Sequence, residues 1–226
     1  MAIALRSVGV SPGSDDHEAI IVKPAGLAVG DLMISHTLHY AVVEATAPAN
    51  WTKIFAVVYG MYHSVVTFWK IADAADVAAT DFTFHATASS CVGAISAWTG
   101  HDPTTPIGAS NGQYNAASTT VTAPTITPLA NSMILLLCSV SDNNTQSTYA
   151  IATSNPATWA EAYDLPKDLN DDEGISMGYA LRPETTDTGN GTATTSGSDA
   201  NSGILIAISP IVTVVTHFLC SLGVGK

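Results

Sequence analysis

Basic side chains are scarce in this chain. Its 226 residues hold seven lysines and arginines against nineteen aspartates and glutamates, for a formal net charge of −12. Arg6, Lys23, Lys53, Lys70, Lys167, Arg182 and Lys226 lie far apart, so no basic stripe exists to neutralise phosphates, and a nucleic-acid partner is not expected. Charge of either sign is low. Only 12% of residues are charged, where a soluble domain ordinarily carries about a quarter. Abundant Ala, Thr and Ser instead give a surface of short neutral side chains, as extracellular and virion β-proteins often have. Cysteine is scarce too. Cys91, Cys138 and Cys220 form no CxxC pair and have no histidine at ligand spacing, which signals neither a disulfide framework nor a zinc site and leaves free, buried thiols. The opening Met1-Ala-Ile-Ala-Leu-Arg6 lacks the basic, apolar and small-residue regions of a secretory signal.

Helical periodicity is nearly absent. Gly203 to Gly225 runs 23 residues without a formal charge, but Pro210, His217 and a β-branched composition argue against a membrane span. The run divides into a core strand, Ile204 to Ile208, and an apolar C-terminal extension, Ile211 to Leu222.

What is present is a series of short β-branched and aromatic runs between Gly, Pro, Asn and Asp clusters, which predicts an all-β chain. Expected strands are Ala19 to Val22, Asp31 to His39, Thr52 to Val58, Ser64 to Ala72, Asp81 to Ala88 and Gly93 to Trp98. A second series is Thr119 to Ala123, Ser132 to Val140, Trp159 to Asp164, Gly174 to Leu181, Gly191 to Thr195 and Gly203 to Ile208. In the run Val66 to Ile71 both parities are apolar, so that strand is expected to be buried on both faces, whereas Phe82 and Phe84 alternate with Thr83 and bury one.

The two series can be laid over each other. Met33 falls on Met133 at an offset of 100, Trp51 on Trp159 at 108, and Trp69 on Tyr179, Ile71 on Leu181 and Gly93 on Gly203 at 110. Each step in offset falls in an expected loop, where insertions are tolerated. The chain therefore reads as two diverged tandem repeats, 1–103 and 128–210, joined by a bridge, 104–127, and followed by the extension, 211–226. The repeats are expected to pack as one unit, an antiparallel, jelly-roll-like β-sandwich.

Chemistry is weakly marked. No GxSxG elbow is present, and Cys91 and His85 form no recognisable nucleophile–base pair. His36 and His39 have opposite parity on one strand and cannot clamp a metal together. Asp168, Asn170 and Asp172 copy the first alternating oxygens of a calcium loop, but Glu173 stands where glycine is needed and Tyr179 where the closing glutamate belongs, so they are weak metal candidates. Asp15-Asp-His-Glu18 reads as a solvated loop. Asp73, Asp76, Asp81, Glu161 and Asp164 lie in or beside expected strands, and nothing singles out two of them as a hydrolytic pair. Trp51 and Trp159 follow proline-containing turns in both repeats and read as structural plugs. Tyr40, Tyr59, Tyr62 and Tyr114 fall in expected loops and are the ligand-binding candidates, since sugars stack on aromatic faces. No catalytic residue and no cofactor is implied.

The pattern Lys23-Pro-Ala-Gly-Leu-Ala-Val-Gly-Asp-Leu-Met-Ile34, with Asn50-Trp-Thr52, Thr67-Phe-Trp-Lys-Ile-Ala-Asp-Ala-Ala-Asp76 and Ala94-Ile-Ser-Ala-Trp-Thr-Gly-His-Asp102, resembles the β-rich virion structural proteins of tailed bacteriophages. The resemblance covers Ile20 to Asp102 well and the second repeat weakly; Lys70 has no basic counterpart in the aligned Ala180. It implies a non-enzymatic structural role on the particle exterior, as capsid decoration or tail-associated component, with copies of itself and other virion proteins as partners. The alternative is a carbohydrate-binding receptor-recognition module of a tail fibre, with a host surface glycan as partner. A polysaccharide depolymerase stands third. Within the extension, Ile211, Val212, Val214, Val215, Phe218 and Leu219 are the expected assembly residues, because a strand apolar on both faces wants burial on both.

Overall fold

The computed structural model describes residues 2–41, 43–60, 63–153, 155–156 and 158–212. Tyr62, Val214, Val215, Phe218 and Leu219 lie outside the described residues. Among the described residues no helix is long and apolar enough to cross a membrane.

The first half of the chain forms β1 (Ala4–Val10), β2 (Glu18–Val22), β3 (Leu32–Ala41), β4 (Thr52–Tyr59), β5 (His63–Ile71), a one-turn α1 (Ala74–Ala78), β6 (Asp81–His85) and β7 (Ala88–Thr99). The second half forms β8 (Ile107–Ala123), β9 (Ser132–Val140), β10 (Gln146–Ile151), β11 (Ala160–Lys167), β12 (Glu173–Arg182) and β13 (Gly191–Ile208). One sheet runs β1-β7-β3-β5-β4, and the other runs β10-β13-β9-β12-β11 with β8 also paired to β13. Every pairing is antiparallel. The architecture is an antiparallel β-sandwich in which each sheet is drawn from one contiguous half of the chain. Most of the expected bridge, 104–127, is the 17-residue strand β8. Its small polar side chains disguised it, because its partner β13 supplies the apolar surface.

Both sheets are apolar on two faces. The inner layer joins Leu32, Ile34, Leu38, Val65, Val92 and Trp98 of the first sheet to Met133, Leu135, Leu137, Ile175, Met177 and Ile206 of the second. The outer face of the first sheet, carrying Met33, Val66, Phe68 and Ile95, is covered by Ala19, Ile21, Phe82 and Phe84 of the β2–β6 ribbon. The outer face of the second, carrying Ile134, Leu136 and Leu205, is covered by Val121, Ala123, Ala193, Tyr149 and Ile151. Val66 and Phe68 therefore face outward while Trp69 and Ile71 face the inner layer, as the two apolar parities of β5 predict. Cys91 and Cys138 are buried free thiols, one under each outer layer.

The registers of the two sheets correspond. Leu32 pairs with Trp98 and Ile71 in the first, and Met133 with Ile208 and Leu181 in the second. A bulge interrupts β4–β5 between Lys53 and Phe55, and another interrupts β11–β12 between Glu161 and Tyr163. Equivalent register positions of β5 and β12, and of β7 and β13, lie 110 residues apart, whereas those of β3 and β9 lie 101 apart. Leu32, and not Met33, is the counterpart of Met133. Met33 faces the outer layer and Met133 the inner, because a one-residue slip inverts every side chain of a strand. The positive backbone φ of Gly30 (91°) and Asn131 (63°) marks the same corrected correspondence.

Local chemistry explains the strand lead-in and exit motifs. Gly30 turns the chain so that the Asp31 carboxylate accepts from the Ala28 amide at 2.8 Å and pairs with Arg6 Nε at 2.6 Å. At the other end of β5, Lys70 Nζ lies 2.7 Å from Asp76 and 3.2 Å from Asp73, the two carboxylates of the capping box that starts α1. Trp51 and Trp159 precede β4 and β11, each half-buried against its own outer layer; Trp51 meets Phe82 and Phe84 edge-on at 5.7 and 5.3 Å.

Candidate functional site

At one end of the sandwich the inner layer changes from apolar to polar. The residues that continue the inward-facing parity of Leu38, Val65, Leu137 and Ile204 are His36 and Tyr40 on β3, His63 on β5, Ser139 on β9, Ser141 just beyond it, and Ser202 on β13. The His36 ring is wholly buried, with Nδ1 3.0 Å from the Tyr163 hydroxyl and Nε2 2.8 Å from Ser139 Oγ. His63 is held likewise, Nδ1 2.7 Å from Ser141 Oγ and Nε2 2.9 Å from Ser202 Oγ. Burial pushes the His36 pKa down to about 3, with the neighbouring His63 adding to the effect, and burial alone pushes His63 down to about 4. Both imidazoles are therefore neutral, and their hydroxyl partners suit that state.

Above His63 the end of the sandwich opens into a pocket of about 390 Å³ lined by Tyr40, Tyr59, Gly60, His63, Tyr114, Ser141 and Ala200. Tyr59 and Tyr114 stack face to face, ring centroids 3.8 Å apart and planes 13° from parallel, and His63 meets the edge of Tyr114 at 5.9 Å. Three of the four tyrosines singled out from sequence thus meet at one site. They stand on strands and not in loops: Tyr40 is near the end of β3, Tyr59 ends β4, and Tyr114 lies within β8. His63, Ser141 and Ala200 were missed. Polar residues on the inward parity at the ends of β5, β9 and β13 were the available signal.

Glu173 lies buried where β12 begins, and burial raises its pKa well above the ordinary value. The neighbouring Asp171 adds to that rise, while Ser90 and the Tyr40 backbone oppose it. His39, of opposite parity to His36, faces the outer layer, as expected. It is buried, neither ring nitrogen has a hydrogen-bond partner, and burial with the nearby His85 lowers its pKa to about 4.

Among the weak metal candidates, the Asp172 carboxylate and the Asn170 backbone make local hydrogen bonds. Asp172 Oδ1 accepts from the Leu169 amide at 2.8 Å, and the Asn170 amide donates to Asp15 Oδ1 at 2.8 Å, so the two acidic runs are joined by backbone caps. Among the described residues no three His, Cys, Asp or Glu side chains gather in a metal-binding group. Asp73 and Asp76 are engaged by Lys70, Asp81 accepts from the Thr80 hydroxyl, and Glu161 and Asp164 lie near Tyr149 and Gln146. None of these carboxylates lines the tyrosine pocket.

The opposite end of the sandwich is apolar. A groove of about 570 Å³ is lined by Ala2, Ile3, Leu129, Leu181, Ile211 and Val212 among others. Leu129, Leu181, Ile211 and Val212 are 45–60% exposed. Of the expected assembly residues, the two that are described therefore stand together on this surface. Neither a family model, nor a curated protein, nor a solved structure matches the chain.

Proposed function

We propose that the chain is a non-enzymatic structural protein of a tailed-phage particle exterior, a capsid decoration or tail-associated component acting through subunit–subunit contacts. The observation that carries this reading is the apolar pole, where Leu129, Leu181, Ile211 and Val212 surround one groove. Exposed apolar surface that is contiguous marks an interaction site more often than scattered residues do. The occupant is another copy of the chain. The strand correspondence further supports descent of the two halves from one duplicated unit, since the order β7-β3-β5-β4 against β13-β9-β12-β11, one bulge position and the Gly30/Asn131 turn agree.

Sedimentation of the full chain beside a variant lacking Ile211 to Lys226, and beside Leu129→Asp and Leu181→Asp, tests the assembly. The full chain should associate and the variants should remain folded monomers. A full chain that stays monomeric at every concentration, or point variants that associate as well as the full chain, would refute the role of this pole. Mass spectrometry of purified particles then separates a capsid-surface or tail-tube component, with hundreds of copies, from a fibre or tip component with few.

A further inference from the structure

We infer that the pocket at the polar end of the sandwich binds one uncharged hexose ring of a saccharide. This stands apart from the assembly reading, because it concerns the other pole. Its volume of about 390 Å³ lies within the range of small-ligand sites, about 300–1,000 Å³. Three of its seven described lining residues are tyrosines, which offer both an apolar face and a hydroxyl.

The stacking narrows the ligand class. Tyr59 and Tyr114, 3.8 Å apart and nearly parallel, make one thick slab and not two walls of a cage. A cage would enclose a quaternary ammonium group on several sides. A slab presents a flat face, to which the C–H face of a pyranose ring is matched. Tyr59 is 57% exposed, so the slab is open to solvent.

Charge narrows it further. Among the described residues no lysine or arginine lines the pocket, and the residues that follow Ser141 and precede Ala200 are the carboxylates Asp142 and Asp199, on a chain of net charge −12. Sialylated, sulfated and phosphorylated sugars are disfavoured there.

Hydrogen bonding supplies the rest. A neutral imidazole donates through one nitrogen and accepts through the other. Whichever role His63 Nδ1 takes toward Ser141, the serine hydroxyl keeps either its proton or its lone pairs for a ligand. The buried imidazole fixes that hydroxyl in place, since its other nitrogen is held by Ser202.

The test titrates the full chain with methyl glucosides, galactosides and mannosides and with cellobiose and lactose, read by saturation-transfer NMR and calorimetry. Sialyllactose and tetramethylammonium are the charged comparisons. At least one neutral probe should bind saturably. Tyr59→Ala should weaken it about tenfold or more while Tyr59→Phe retains it, and Ser141→Ala should weaken it severalfold, with unfolding midpoints checked for each. The inference is overturned if no neutral probe binds below about 50 mM, if a charged comparison binds more tightly, or if Tyr59→Ala binds as the parent does.

Discussion

The hydroxyl of Tyr163, on β11 of the second sheet, meets Nδ1 of His36, on β3 of the first, at 3.0 Å inside the sandwich. Both side chains are buried, so the pair links the sheets where water cannot compensate a missing partner. Tyr163→Phe should therefore lower unfolding stability by about 1–3 kcal/mol, the cost of one unsatisfied buried group. Adding His36→Leu should recover part of that loss; a double variant no better than the sum of the singles would show the two residues to be energetically independent.

Three buried histidines set an acid limit. His36, His39 and His63 have folded pKa values of about 3, 4 and 4, against an ordinary 6.5. Lowered histidine pKa values mean that the unfolded chain binds more protons between those limits. Their stabilisation is complete above pH 6.5 and is lost as pH falls toward 4, on the order of 3 kcal/mol per imidazole. Urea unfolding should show this slope between pH 6.5 and 4, and a flat profile would contradict the buried neutral rings.

Glu173 acts with the opposite sign. Its folded pKa is raised by burial, so its favourable contribution is present below the ordinary carboxyl pKa and declines as pH rises through the folded value. Glu173→Gln should be more stable than the parent at pH 8 and near parity at pH 4. Equal effects at both values would mean that the carboxyl is not protonated in the fold.

Gly93 of β7 and Gly203 of β13, at similar register positions in the two sheets, differ in what lies over them. A Cβ on Gly93 would stand 2.7 Å from Cδ1 of Ile21, the mobile end of a side chain, whereas one on Gly203 would stand 2.7 Å from the backbone oxygen of Thr122. Gly203→Ala should cost about 1–3 kcal/mol and Gly93→Ala less, with Ile21→Val restoring the latter. Equal losses in thermal unfolding would refute the distinction.

Arg182 is fully buried at the end of β12 and grips two loops. It donates to Thr153 Oγ1 at 2.8 Å and to the Asn155 carbonyl on one side, and to Thr186 Oγ1 at 2.9 Å and the Asp187 carbonyl at 3.1 Å on the other. Arg182→Met should cost about 3–5 kcal/mol, because five acceptors, the Thr186 carbonyl at 3.1 Å among them, lose their donor together. Denaturant unfolding reads the loss, and a cost below about 1 kcal/mol would show the loops to be held otherwise.

Strand identity was legible wherever β-branched and aromatic residues were dense. Ser132 to Val140 is β9 residue for residue, and the Phe82/Phe84 alternation named the buried face of β6. What escaped was β1 and strand built of small polar residues. The stretch from Ser110 to Thr120 carries no apolar period because it borrows the surface of β13, and β10 is short and lies on an outer layer. The Met33/Met133 match misled because adjacent residues of a strand buried on both faces are equally apolar, so composition cannot fix parity. At the site, the tyrosines were found by residue type alone. Their convergence was not legible, since Tyr40 and Tyr114 come from different sheets.

The connection between the halves has a kinetic meaning. Neither main sheet takes a strand from the other, so the seam between them is closed by side chains and by a few contacts near His101 and Ser209. In that respect it is the interface of a heterodimer whose partners share a chain. Severing the backbone between Thr99 and Ile107 would leave both sheets with all their strands but turn their association from a unimolecular step into a bimolecular one, so that folding would acquire a dependence on concentration.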